Sequence, residues 1–239
     1  MVPVPPGPDI QVASIRWQEA WRVIASRFPP IHLFERVSSD PAVWDVLIDL
    51  EQRTNPRVRD EVGNISLVPP DRRVSGPGAS YCMAPFTHVN PRGSRFSDGS
   101  FGMYYAADRL GTAIKETVYH FENFARDSSD PPRREDMRVL LGSIVGKFHD
   151  VGTLSPEHKM QVLDTASYKA ARALGAALKA ANSNGIVYPS VRDSGGSCLA
   201  AFWPDVIGVP VQERHLQYEW DGSRVSRYFN YRDETWAII

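Results

Sequence analysis

The first residues whose types could do chemistry lie between positions 88 and 99, where the chain reads HVNPRGSRFSDG. Arg92 and Arg95 are interleaved there with glycine and serine. The planar fork of an arginine matches phosphate oxygens, and a glycine-rich backbone can wrap a diphosphate closely. The aromatic strand predicted over 103–107 follows and offers Tyr105 as a stacking face. This stretch therefore favours a ligand that carries both a diphosphate and a ring.

A carboxylate, Glu116, follows on a helix predicted from Thr112 to Ala125. The apolar stripe of that helix has helical spacing: Ile114, Val118, Phe121 and Ala125. Glu116 lies roughly opposite the stripe, so it faces water or a cleft rather than the core. Taken singly, each residue also fits an ordinary role: Glu116 as a solvated helix glutamate, Arg95 as a loop arginine in solvent, and Tyr105 as a core residue.

The second such segment runs from Gly185 to Gly196 and reads GIVYPSVRDSGG. A predicted strand ends there at Ser190 and turns through two glycines into another strand. Catalytic groups often lie at strand ends of this kind. The segment is equally compatible with an ordinary turn serine and a surface arginine, Arg192.

Composition and charge exclude several classes of protein. The 239 residues include 27 Lys+Arg and 28 Asp+Glu, a net charge of −1, which lacks the basic field of non-specific nucleic-acid binding. No apolar run is long enough to cross a membrane, and the N-terminus shows no secretory signal. The cysteines, Cys82 and Cys198, are isolated and fit reduced thiols in the cytosol. We therefore expect a cytoplasmic protein that binds neither membranes nor nucleic acid directly.

Generic motifs also fail to explain the chain. The run at 142–147 is one residue too short for a phosphate loop and lacks the Ser or Thr after its lysine. The run at 195–199 lacks the second glycine of a serine-hydrolase elbow. The six histidines have no metal-ligand spacing, so no metal site is expected.

Periodicity places the elements that must position these residues. A proline-rich arm over 1–9 precedes a helix predicted from the spacing of Trp17, Trp21, Ile24 and Phe28. Residues 54–102 are expected to be irregular, and 127–136 to form a polar loop. Further helices are predicted over 40–53, 112–125 and 166–181, and strands over 31–37, 103–107, 139–148, 186–188, 198–203, 206–212, 215–220 and 224–231. Because helices and strands do not alternate regularly, the pattern favours an α+β fold.

Six pieces of the chain, in order, resemble the RES domain family, which is named for Arg, Glu and Ser. They cover roughly residues 31–231 and include one pattern around each candidate residue: Phe34-Glu35-Arg36-Val37, Gly93-Ser94-Arg95-Phe96, Tyr105-Ala106-Ala107-Asp108, Thr112-Ala113-Ile114-Lys115-Glu116, Gly185-Ile186-Val187-Tyr188-Pro189-Ser190, and Gly195-Gly196 to Phe202. No single piece is specific for this family, but the six pieces in this order are a strong combined signal for it.

This resemblance implies a fold and a function. RES proteins are toxins of type II toxin–antitoxin pairs, with an Xre-type antitoxin as partner, and they consume NAD. The implied fold is ADP-ribosyltransferase-like, of the diphtheria-toxin type, with a mixed β core and surrounding helices. It divides the chain into an N-terminal arm and helix (1–30) and an NAD-binding catalytic domain (31–239). The length is similar to that of members that transfer ADP-ribose to a bacterial protein target.

Two other functions stay open: an NAD glycohydrolase or phosphorylase that depletes cellular NAD, and a non-catalytic binding module with the same fold. With the resemblance, the expected catalytic residues are Glu116, Tyr105, Arg36 and Ser190. NAD is expected to bind Arg95 and Arg36 through its diphosphate, Tyr105 through its nicotinamide, and Ser190 through a ribose hydroxyl or the amide. Glu116 would stabilise the positive charge of an oxocarbenium-like centre or orient the acceptor. Weaker candidates are Tyr188, Arg192 and His88.

Overall fold

The computed structural model describes residues 10–27, 40, 43–44, 46–48 and 63–239. Arg36, the strand predicted over 31–37 and most of the helix predicted over 40–53 lie outside the described residues. Among the described residues, no helix is both long and apolar enough to cross a membrane.

The described residues form an eight-stranded mixed sheet. Its strands in chain order are β1 Val12–Ala25, β2 Tyr104–Ala107, β3 Arg133–Asp150, β4 Gly185–Pro189, β5 Ser197–Ala201, β6 Ile207–Trp220, β7 Val225–Asn230 and β8 Thr235–Ile238. They lie in the order β1-β2-β5-β4-β3-β6-β7-β8, and β1 also pairs with β3. The strands β1, β2, β5, β4 and β3 therefore form a closed ring of pairings, in which only β3–β4 is parallel.

Four α-helices have both ends among the described residues: α1 Ala79–Thr87, α2 Leu110–Asp127, α3 Pro156–Val162 and α4 Lys169–Ala180. These helices pack against two different apolar clusters. The cluster with Val118 of α2 and Leu174 of α4 includes Trp220, whereas the cluster with Met83 of α1 includes Phe148. Helices thus cover opposite sides of the sheet, and the predicted α+β class with a mixed β core is confirmed.

The helix predicted from the spacing of Trp17 and Trp21 is wrong, because this segment is β1. Its register with β3 shifts between Trp17 and Ala20, which marks a bulge. The bulge reverses the alternation, so Trp17 packs against the α1 cluster and Trp21 against the α2 cluster. Two tryptophans four residues apart therefore mimic one face of a helix while facing opposite sides of a strand.

Two predicted loops are also shorter than expected. Residues 54–102 contain α1, a helix that the sequence pattern hides because Pro85 lies inside it. The polar loop over 127–136 ends early, because β3 begins at Arg133. The charged start of β3 is accommodated by an ion pair between Arg133 and the buried Glu135.

Other boundaries agree or differ by a few residues. The predicted strands over 206–212 and 215–220 are one strand, β6, with irregular register. The predictions over 112–125, 166–181 and 224–231 correspond to α2, α4 and β7. The sequence analysis missed α3 and β8. The division at residue 30 stays a prediction, although β1 is hydrogen-bonded into the same sheet as the later strands.

Candidate functional site

The centre of the candidate site is a hydrogen bond between Ser190 and Glu116. Ser190 follows β4, Glu116 lies in the second turn of α2, and both are partly buried. The Ser190 hydroxyl donates to Glu116 Oε1 over 2.6 Å. Two residues that are 74 positions apart in the chain are thus brought into direct contact, with the carboxylate held in one orientation.

Backbone N–H groups of the turn after Ser190 bond to the hydroxyl oxygen of that residue. Ser190 Oγ accepts from the backbone N–H groups of Arg192 at 3.1 Å and Asp193 at 3.0 Å. Because these two donors occupy the oxygen, the single hydroxyl proton is directed to Glu116. This arrangement orients the carboxylate and leaves its negative charge in place.

A buried thiol also contacts Oε1 of Glu116. Cys198 Sγ of β5 is 3.8 Å from Glu116 Oε1. Burial, followed by the charge of Glu116, raises the pKa of the Cys198 thiol far above its usual value. Cys198 therefore stays protonated and acts as a weak donor to Glu116 rather than as a nucleophile.

Asp193 ties this turn to the start of α2. Its carboxylate accepts from Thr112 Oγ1 at 2.5 Å, from Lys115 Nζ at 2.6 Å and from Arg109 Nη2 at 2.9 Å. These hydrogen bonds, that of Lys115 first, lower the pKa of Asp193 to about 2. The turn also depends on Gly196, where a Cβ would lie only 2.3 Å from Thr112 Oγ1. The Asp193 contacts therefore set the distance between Ser190 and Glu116.

Asp193 and its three partners were not predicted from the sequence. Their signal was present in the N-cap residue Arg109 and in Thr112 and Lys115 of α2, which follow it at helical spacing beside Glu116. An aspartate three residues after Ser190 is the matching acceptor. Polar residues at that spacing are common on solvated helices, so the pattern alone did not identify the pair.

Tyr105 lies on β2 with its ring against the α2 cluster. Its hydroxyl is 2.7 Å from Ser94 Oγ and accepts from the backbone N–H of Phe96 at 3.2 Å. Burial raises the pKa of Tyr105, so the phenol stays neutral. Tyr105 therefore connects β2 to the loop that carries Arg95.

Arg95 is buried, with 5% of its surface exposed. Its Nη1 donates to the carbonyl oxygen of Asp164 at 3.0 Å, and the guanidinium lies 4.6 Å from the centre of the Tyr168 ring. Next to it, Phe96 packs edge-on against Tyr188 with ring centres 5.0 Å apart. The arginine predicted to bind a diphosphate thus already donates from Nη1 to a protein carbonyl, while its other two nitrogens make no such bond within the described part of the chain.

His120 shows that these groups share one electrostatic environment. It lies one turn after Glu116 on α2, and although its side chain has an exposed edge, desolvation lowers its pKa. Glu116 opposes that shift, whereas the positive charges of Arg192 and Arg95 reinforce it. One carboxylate and two guanidinium groups therefore act on the same imidazole.

The guanidinium of Arg192 stacks on an aromatic ring but has no hydrogen-bond partner among the described residues. Its guanidinium carbon lies 3.6 Å from the centre of the Tyr119 ring of α2. All three of its guanidinium nitrogens are buried, and none has a hydrogen-bond partner among the described residues.

The structure thus joins Glu116 and Ser190 directly and links Tyr105 to the Arg95 loop. His88 lies at the end of α1, where its ring is 3.1 Å from Thr87 Oγ1. Within the described part of the chain, no group of three or more His, Cys, Asp or Glu side chains is arranged to hold a metal ion.

The chain is similar to known proteins in both sequence and fold. Residues 70–221 match the family model described as the RES domain. The uncharacterized protein y4oC of Sinorhizobium fredii is 30% identical over 215 residues, which are 90% of this chain and 88% of that protein. The crystal structure of the MbcT–MbcA toxin–antitoxin complex of M. tuberculosis has a chain that is 11% identical, with a TM-score of 0.40 over 84% of this chain and 86% of that one.

Proposed function

Because the chain belongs to the RES domain family, we propose that it is the toxin of a toxin–antitoxin pair and that it consumes NAD. The proposed reaction cleaves the bond between nicotinamide and ribose and transfers ADP-ribose to a bacterial protein, which arrests growth. The observation that carries this proposal is the Ser190–Glu116 pair, which presents an oriented carboxylate next to the turn that carries Arg192. The proposed partner is an Xre-type antitoxin, and the proposed location is the cytoplasm.

The proposed chemistry balances with NAD and an acceptor alone. The C–N bond breaks with its electron pair, which leaves with nicotinamide and neutralises its positive charge. Positive charge then develops on the ribose, where the carboxylate of Glu116 stabilises it electrostatically. An acceptor nucleophile bonds to the ribose carbon and gives its proton to Glu116.

Other residues would bind the dinucleotide. Arg95 and Arg36 are proposed to contact the diphosphate, and Tyr105 to stack on nicotinamide. Ser190 orients Glu116 through its hydroxyl proton, and its proposed contact with a ribose hydroxyl or the amide requires the exchange of one of its three hydrogen bonds. We further propose that the closed ring of strands is the core of an ADP-ribosyltransferase-like fold of the diphtheria-toxin type.

Labelled NAD tests this proposal. The full chain is incubated with bacterial lysate and NAD that carries its label in the ADP-ribose part, and Glu116→Gln serves as the matched control, since its amide oxygen still accepts from Ser190. Label on a discrete protein band, present with the natural chain and absent with the control, is the expected result. Free ADP-ribose, or its phosphate, without a labelled band would replace transfer by hydrolysis or phosphorolysis. Intact NAD under all conditions would overturn the proposal.

A further inference from the structure

Arg192 differs from the other buried arginines of the described chain. Arg22 donates to the Tyr105 carbonyl, Arg73 to the Val68 carbonyl and Arg95 to the Asp164 carbonyl. Only in Arg192, among the described arginines, are all three guanidinium nitrogens buried and without a hydrogen-bond partner. Burial of a charged group without hydrogen bonds is costly, so such a group requires an explanation.

Contact with Tyr119 explains part of the geometry but not the missing hydrogen bonds. The guanidinium carbon is 3.6 Å from the ring centre, which is stacking distance. Such a cation–π contact uses one face of the guanidinium plane. The five N–H donors lie in the edge of that plane, where stacking cannot satisfy them. The stack therefore fixes the orientation of the fork, while its donors are closed off from solvent and have no hydrogen-bond partner among the described residues.

The position of Arg192 connects this fork to the candidate site. Its backbone N–H donates to Ser190 Oγ, and Tyr119 lies three residues after Glu116 on α2. Glu116 is bonded to Ser190 rather than to Arg192, and no ion pair joins Arg192 to Glu116 among the described contacts. The carboxylate and the guanidinium are thus both attached to Ser190 and its turn, and no ion pair joins them among the described contacts.

We propose that Arg192 is a binding residue for an anionic oxygen group of the substrate, the diphosphate of a dinucleotide. A planar fork that is already oriented and desolvated makes two parallel charge-assisted hydrogen bonds to phosphate oxygens, at little cost in ordering. Lysine would keep the charge and the contact with Tyr119, but it cannot form the paired hydrogen bonds. The inference rests on the proposed function, and it adds a residue to the anion site that Arg95 was expected to provide.

Calorimetry with three probes tests the assignment: NAD, inorganic diphosphate, and nicotinamide riboside, which lacks phosphate. The variants are Arg192→Lys and Arg192→Gln. Arg227→Lys is the matched control, because Arg227 also stacks on an aromatic ring, at 4.4 Å from Trp236, but lies on β7 and is paired with Glu219. We expect both Arg192 variants to weaken the binding of NAD and of diphosphate about ten- to hundredfold and to leave the binding of nicotinamide riboside unchanged. The control variant should bind all three probes as the natural chain does.

The other outcomes are separable. Unchanged NAD and diphosphate affinity in Arg192→Lys and Arg192→Gln would overturn the assignment while the proposed function stands. Equal loss of all three probes, together with a lower melting temperature, would make Arg192 a structural residue and also overturn it. If the natural chain binds diphosphate but not NAD, the proposed function fails, whereas loss of diphosphate binding in the variants still supports Arg192. Failure of the natural chain to bind either phosphate-containing probe would overturn both.

Discussion

At the residue scale, the proposed chemistry depends on the negative charge of Glu116, which is held in one orientation and is not paired with a cation among the described contacts. The proton of Ser190 and the thiol of Cys198 both reach the same oxygen of Glu116, and no cation is paired with it among the described contacts. Hydrogen-bond donors of this kind hold a carboxylate in place and leave it able to stabilise a positive centre.

Glu116→Gln should therefore remove activity without removing the fold. The amide oxygen still accepts from Ser190, so the free energy of unfolding should change by no more than about 1 kcal/mol. The rate of nicotinamide release should fall by at least about 100-fold, because the negative charge is lost. Glu157→Gln is the control, since Glu157 is exposed on α3. A fully active and folded Glu116→Gln or Glu116→Ala, still able to arrest bacterial growth, would contradict the role of this carboxylate.

Arg95→Lys should have two effects, and the structure explains the second. NAD affinity should fall about ten- to hundredfold, because a point charge cannot reproduce the arginine fork. The free energy of unfolding should also fall by about 1–3 kcal/mol, because the bond to the Asp164 carbonyl and the stack on Tyr168 are disturbed. Calorimetry and denaturant titration measure the two separately, with the exposed Arg224→Lys as control. Loss of stability with unchanged NAD affinity would leave Arg95 a structural role only.

At the scale of elements, the site exists because one turn is fastened to one helix. Asp193 accepts from Thr112, Lys115 and Arg109, and these bonds hold the turn after β4 against the first turns of α2. Neither element carries both halves of the Ser190–Glu116 pair. The geometry of the pair is thus a property of the contact between elements.

Asp193→Asn should loosen that contact in a pH-dependent way. The pKa of Asp193 is about 2 in the folded chain against an ordinary value of 3.8. A lowered pKa means that the carboxylate stabilises the fold above about pH 4 and that this contribution is lost as the pH falls towards 2. The natural chain should exceed the variant in free energy of unfolding by about 1–3 kcal/mol near neutral pH, and the difference should shrink below pH 4. Denaturant titrations across this range measure it; a difference that stays constant down to pH 2 would contradict the ionic origin.

The elements also show which sequence patterns were informative. α2 was predicted because Ile114, Val118 and Phe121 bury a single stripe, and its bounds follow from local periodicity. β1 was mispredicted because its bulge arises from pairing with β3, far away in the chain, and nothing between Trp17 and Trp21 reveals it. Ser190 and Glu116 could be nominated from their motifs, but the bond between them depends on three-dimensional contacts that no single segment encodes.

For the whole molecule, the closed ring of strands makes the N-terminal segment part of the core. β1 pairs with β3 almost from end to end and reaches β2 at Trp21. The division predicted at residue 30 places this segment outside the catalytic domain, whereas the pairing makes it the strand that closes the ring.

Removal of residues 1–30 should consequently prevent cooperative folding. The shortened chain would leave the backbone groups of β3 that face β1 unpaired and expose apolar side chains such as Phe148. We expect it to lack a sharp thermal transition in calorimetry and to lose near-ultraviolet circular dichroism, while the full chain shows both. A shortened chain that melts cooperatively near the temperature of the full chain would instead support a separate domain from residue 31.

The same pairing between β1 and β3 has a consequence for synthesis on the ribosome. Val12 is paired with His149, so roughly 140 residues must be made before the pairing of the first strand with β3 is complete. At about 5–20 residues per second, that interval is on the order of 7–30 s. During it, β1 is an incompletely paired strand that contains two tryptophans and two valines, open to other chains or to chaperones. Faster folding after release cannot shorten this delay, because it is set by the distance between the two strands along the message.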